Sequence, residues 1–167
     1  GNLRTFQQPG TTVTYTVDGR NRRIGTAVNG VPVQGFLWQG QLRPVAELDG
    51  SGNLVSRFVY ATRINVPDYL IRDGQTYRIL HDHLGSPRLV VDAASGARVA
   101  KVDYDEWGVA LQVAIPEWMP FGFGGALGGA STGLDRIGSR DFMSGPGRWT
   151  SADPLNFDDG DSNRYAY

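Results

Sequence analysis

His81-Asp82-His83 places two imidazoles around a carboxylate, and Leu84-Gly85-Ser86-Pro87 follows at once. Residue types like these could bind a metal, relay a proton or supply a nucleophile. On a strand, His81 and His83 would share one face, but two ligands still need at least one more. The chain holds only 2 histidines and no cysteine, so neither residue type can complete such a sphere. Asp82 is better read as the cap of the turn that follows. Ser86 lacks the Gly-x-Ser-x-Gly elbow and an evident base, while Gly85 and Pro87 are what a tight turn requires. Asp158-Asp159-Gly160-Asp161-Ser162-Asn163 begins like a calcium loop, with oxygen ligands at Asp159, Asp161 and Asn163. Arg164 stands where the sharp-turn glycine belongs, so a solvated acidic loop is expected there. Pro120-Phe121-Gly122-Phe123-Gly124-Gly125 has no Lys-Ser/Thr after it and is no phosphate cradle. Trp38, Trp107, Trp118 and Trp149 read as core or sheet-face aromatics. These residues predict neither a metal site nor a cofactor.

The elements that must position these groups are short and extended. Thr11–Val17 (TTVTYTV) alternates Thr with Val13, Tyr15 and Val17, the period of a half-buried strand. A turn at Asp18-Gly19 leads to a polar basic stretch with Arg20, Arg22 and Arg23. Phe36–Leu48 reads as a hairpin around Gln39-Gly40, with Pro44 implying an edge or a bulge in its second strand. Asp49–Asn53 is a turn before the strand Leu54–Tyr60. Asp68–Asp82 folds back at Asp73-Gly74, a strong hairpin signal. Arg88–Asp92 and Ala97–Asp105 flank another turn. Val109–Trp118 is the one place where a short helix fits, limited by Pro116. Pro120–Gly133 is a glycine-rich loop, with strand-like pieces at Leu134–Phe142 and Gly147–Thr150. The expected fold is all-β, a twisted antiparallel sheet of successive hairpins with unpaired edges. Asp18, Asp49, Asp73 and Asp92 mark a loose repeat, and units of this kind bury their apolar faces only against neighbours.

Composition agrees. In 167 residues, 40% are hydrophobic and 20% charged, enough for a packed core. The 23 glycines are spread through the chain, as frequent tight turns demand. A net charge of −1 offers no electrostatic case for nucleic acid or an anionic membrane as a general partner. Neither a signal peptide nor a membrane-length apolar run is visible.

Tyr15-Thr16-Val17-Asp18-Gly19 and the later Asp-Gly turns resemble the tyrosine–aspartate (YD) repeats of Rhs proteins. From His81 onward the chain resembles the RHS-repeat-associated core domain: HDHLGSPRLVVD, then YDEWG, PFGFGG, TGLDRIGSRDF, GRWTSADP and DSNRYAY follow in order. The resemblance divides the chain into YD-repeat hairpins at 1–80 and a core domain at 81–167. It implies a hollow β-shell closed at one end by the core and enclosing a C-terminal toxin, as in polymorphic toxins and toxin-complex C components. Its implied partners are the remaining shell, the enclosed toxin and a secretion machinery. Its implied location is outside the cell or on its surface.

The same resemblance implies aspartyl-type self-cleavage just downstream. Asp153, in Asp153-Pro154-Leu155-Asn156, maps to the first carboxylate, although the family usually has Gly where Asn156 stands. Arg140 maps to the assisting arginine. The second Asp-Pro-x-Gly would fall beyond Tyr167, so the chain alone is expected to be inactive. One carboxylate cannot share a proton with a partner, and Asp153 beside a cation would stay ionised. A buried Arg–Asp pair that only ties strands together is the competing reading of these two residues. Two other functions stay open: a YD-repeat module that binds carbohydrate or a host surface, and a remnant without activity.

Overall fold

The computed structural model describes residues 2–113, 116–129, 132–152 and 165. Eleven strands follow one another: β1 Thr5–Gln8, β2 Thr11–Val17, β3 Arg23–Val28, β4 Val31–Gln39, β5 Arg43–Asp49, β6 Leu54–Val59, β7 Tyr69–Arg72, β8 Gln75–His81, β9 Pro87–Asp92, β10 Arg98–Tyr104 and β11 Ala110–Val113. Each pairs antiparallel with its predecessor, so the order in space is the order in sequence. Four more strands form a second antiparallel sheet: β12 Leu127–Gly129, β13 Leu134–Ile137, β14 Arg140–Met143 and β15 Arg148–Trp149. The all-β expectation holds, and β2 keeps the predicted limits with Val13, Tyr15 and Val17 buried.

Register explains the core. Phe58 stands opposite Leu70, Ile79 opposite Val90, and Val90 opposite Ala100, which sets these side chains on one face of the large sheet. The chain then returns across that face. Met119, Phe121 and Leu127 close over Phe36, Phe58, Leu70, Ile79, Val90 and Ala100. Phe121 meets Phe58 edge-on, with ring centroids 4.9 Å apart. Burying one such side chain is worth roughly 1.5–3 kcal/mol, so the return segment is held mainly by these contacts.

One local expectation changes and another is resolved. Val109–Trp118 holds strand β11 where a short helix was allowed, with Val102 opposite Val113 and Asp103 opposite Gln112. The free edge of β10 offers a hydrogen-bonded ladder that an isolated helical turn could not match. Pro44 lies in a central strand, and of the two alternatives its sequence allowed, the bulge is the one realised. The register shifts between Leu37 and Trp38, the latter facing Pro44.

Two kinds of hairpin turn recur. Asn29-Gly30 and Asp73-Gly74 are two-residue links with positive φ at both positions (50° and 82°; 50° and 76°), the geometry that suits strand twist. The other kind is built on an aspartate. At Asp18, Asp49, Asp82 and Asp105 the aspartate N–H bonds to the carbonyl four residues on, and its carbonyl accepts the N–H three residues on. The residue at that third step has positive φ: Asn21, Gly52, Gly85 and Gly108. Asp92 makes the same turn one residue longer, with Gly96 at positive φ.

Candidate functional site

The residues that looked catalytic are parts of this turn and of the joint it makes. His81 ends β8 opposite Pro87, half-buried, while His83 is exposed. Between them Asp82 Oδ1 accepts the N–H groups of Leu84 and Ser86, each at 3.0 Å. Asp18, Asp49 and Asp105 cap their turns in the same way, for example Trp107 N–H at 2.9 Å and Val109 N–H at 2.8 Å on Asp105. Among the described residues no three acidic or histidine side chains converge. Ser86 is fully buried, and its Oγ accepts the N–H of Gly124 at 2.9 Å. A hydroxyl in that position is a strut between the large sheet and the return segment.

That strut belongs to a seam between the two sheets. The FGFGG run forms a tight turn at Phe123–Gly125, with Gly124 and Gly125 at positive φ. Gly125 and Gly85 both press on Val66: a Cβ at either would lie 2.5 Å or 2.8 Å from Val66 Cγ2. Gly108 meets Phe123 as closely, at 2.5 Å, and Phe123 packs edge-on against Tyr104. Trp107 lies against Gly147, whose added Cβ would come within 2.9 Å of its indole. Thus the HLGS, DEWG, FGFGG and GRW stretches are one set of mutually fitted surfaces.

Behind the seam lies a charged cluster that reading the sequence missed. Asp141, 1% exposed, accepts from Arg23 Nη2 at 2.6 Å and from Arg136 Nη1 at 2.9 Å. Arg23 covers the Tyr15 ring at 3.6 Å, and Arg136 also reaches Asn2 Oδ1 at 2.6 Å and the Asn21 carbonyl at 2.9 Å. Burial pulls the Arg136 pKa down, against the pull of Asp141 upward. Arg23 and Asp141 are 118 residues apart in sequence, and no local pattern joins them. Asp135, on the neighbouring strand β13, is a second case. Burial raises its pKa, and the Ser144 hydroxyl, 2.8 Å from Oδ2, only partly opposes this.

Arg140 opens β14, and its guanidinium lies 4.0 Å from the Trp149 ring centroid. Asp153, its expected partner, falls outside the described residues, as does the acidic run Asp158–Asn163. The aromatics are mostly inside: Trp149 is buried, and Trp38 and Trp118 are part-buried. Trp107, 47% exposed, is engaged by Gly147 on one side.

Comparison with known proteins places this geometry. A family model described as teneurin YD-shell matches residues 1–166. The chain is similar to the tRNA3(Ser)-specific nuclease WapA of Bacillus spizizenii, 26% identical over 160 residues, covering 92% of the chain and 7% of that protein. It is also similar to teneurin-1 of Gallus gallus, 27% identical over 146 residues, covering 85% of the chain and 5% of that protein. Among solved structures, TcdB2-TccC3 superposes on 99% of the chain and 9% of its own with a TM-score of 0.68 at 20% identity. The chain therefore spans about a tenth or less of the relatives it matches.

Proposed function

The chain belongs to the teneurin YD-shell family, and from that premise we propose that it forms a stretch of wall and the beginning of the closing core of a toxin-enclosing shell. The observation that carries this reading is the strand order. Eleven strands run in strict sequence with nothing interleaved, and among the described residues β1 pairs only with β2 and β11 only with β10. A sheet built this way extends by adding the next hairpin at its end, as a wall does. On this reading residues 1–80 are wall repeats and 81–167 the core, and the Arg23–Asp141 pair together with the contacts of Val66 with Gly85 and Gly125 hold the core against the wall. The similarity to a protein named as a tRNA-specific nuclease supports a toxin as the enclosed partner. The same likeness, with that to teneurin-1, supports a place outside the cell or on its surface.

The second part of the proposal is self-cleavage. Asp153 would share a proton with a second carboxylate further along the polypeptide, one taking a proton from water and the other polarising the scissile carbonyl. Arg140 would stabilise the negative charge that develops on that oxygen. Residues 1–167 supply one carboxylate of this pair, and on this reading cutting requires the second. Intact-mass spectrometry of a polypeptide extended past the second Asp-Pro-x-Gly tests it. The wild-type protein should be cut during expression, Asp153→Asn should stay full length, and Arg140→Ala should slow or stop the cut. Normal cutting in Asp153→Asn would refute the assignment.

A further inference from the structure

β14 is four residues long, Arg140-Asp141-Phe142-Met143, and joins β13 through Gly138-Ser139. Alternation sends Arg140 and Phe142 to one face and Asp141 and Met143 to the other. On the first face Phe142 and Arg140 share the Trp149 ring, Phe142 edge-on at 5.3 Å and Arg140 at 4.0 Å. On the second, Asp141 sits between two guanidiniums, those of Arg23 and Arg136. So brief a strand has few ladder bonds to fix its register, and a slip of one residue exchanges the faces.

We propose that Asp141 is the register key of this hairpin: a positioning residue that, through Arg23 and Arg136, decides on which face of β14 Arg140 stands. The inference rests on the self-cleavage reading, because it concerns how Arg140 is presented. A slip would bring Arg140 into the slot now filled by Asp141, setting a third cation against Arg23 and Arg136 where water is nearly excluded. The same slip would turn the Asp141 carboxylate onto the aromatic face of Trp149, where the ring's negative cloud repels an anion. Both errors come from one displacement, so the native register is separated from its neighbour by two unfavourable burials. Arg136 ties the slot in turn to Asn2 and to the β2–β3 turn at Asn21. The first hairpins of the wall thereby set the position of a residue near the far end of the chain.

The test uses the extended protein that contains the second Asp-Pro-x-Gly, with cutting followed over time by intact mass. Asp141→Asn keeps the shape of the side chain and removes its charge, and it should slow the cut about ten-fold or more, as small misplacements of a catalytic group do. Val90→Ala, in the large-sheet core away from β14, serves as a control once conditions are chosen that match its loss of stability. It should cut within about two-fold of wild type, since it leaves the Arg140 geometry alone. The triple variant Arg23→Met/Asp141→Leu/Arg136→Met replaces the slot by apolar groups, an exchange that buried ion clusters tolerate. It still rejects Arg140 from the slot and should recover the cut. That variant decides the matter if Asp141→Asn does not fold, because a folded, uncut triple variant overturns the proposal. Wild-type cutting in Asp141→Asn, or equal slowing in Val90→Ala, also overturns it while leaving the cleavage reading standing. An uncut wild-type protein removes both.

Discussion

Asp68 is fully buried where β7 begins, and it is surrounded by donors. Its carboxylate accepts from the N–H groups of Ala61 and Thr62, the Thr62 hydroxyl and Arg78 Nη1. Burial alone would raise its pKa, yet these donors and the Arg78 charge together bring it down to about 2 from 3.8. A carboxylate lowered by folding contributes stability above its unfolded value and loses it on acidification. The stability of the protein should therefore fall between pH 3.8 and about 2. Asp68→Asn should be less stable than wild type at neutral pH and flatter across that window, as urea midpoints would record. Asp135 has the opposite sign. Its pKa is raised by burial, so its proton is held more tightly in the folded state and stability declines as pH rises through and above 3.8. Asp135→Asn, which keeps an oxygen for the Ser144 hydroxyl, should be more stable than wild type at pH 7 and equal to it below pH 3.8. Equal midpoints at both pH values would remove this account of Asp135. Glycine replacements separate strain from collision. Gly30 has positive φ but open space around it, and Gly30→Ala should cost about 1 kcal/mol. Gly108→Ala adds a clash 2.5 Å from Phe123, and should cost about 3 kcal/mol by denaturant unfolding.

At the scale of the element, the aspartate turn is the recurrent unit. The side chain of Asp105 holds two backbone N–H groups that no strand can satisfy, and Asp105→Ala should cost about 1 kcal/mol. Asp73→Ala should cost less by the same unfolding measurement, because that turn is set by its backbone angles, and Gly74 still supplies one of them. The difference shows what was legible in the sequence. Asp73-Gly74 announced a hairpin correctly, but grouping it with Asp18, Asp49 and Asp92 joined two different turns. The shared feature is Asp-x-x-Gly or Asp-x-x-Asn, one residue longer at Asp92, and it also takes in Asp82 and Asp105. Once that pattern is seen, HDHLGS stops resembling chemistry. Alternation made β2 legible to the residue. β11 was not, because Ala110–Val113 carries no period of its own and becomes a strand only through the edge of β10. Arg23, Arg136 and Asp141 were illegible for a stronger reason. Arg23 sat in a run of polar, basic residues that looks solvated, and its carboxylate partner Asp141 lies more than a hundred residues away.

For the whole molecule, the proposal makes this sheet one portion of a longer wall. β1 reads Thr-Phe-Gln-Gln, with no charge and no proline to discourage pairing along its outer edge. Sequential order, the family match over residues 1–166 and the small share of each relative that the chain covers point the same way. An electron cryomicroscopy reconstruction of the full-length protein tests this most directly. The account predicts that the eleven-strand sheet continues, with the outer edge of β1 hydrogen-bonded antiparallel to an upstream strand in a wall around an enclosed C-terminal domain. A map in which these strands stand as a separate body, with β1 facing solvent and no enclosed chain, would contradict it.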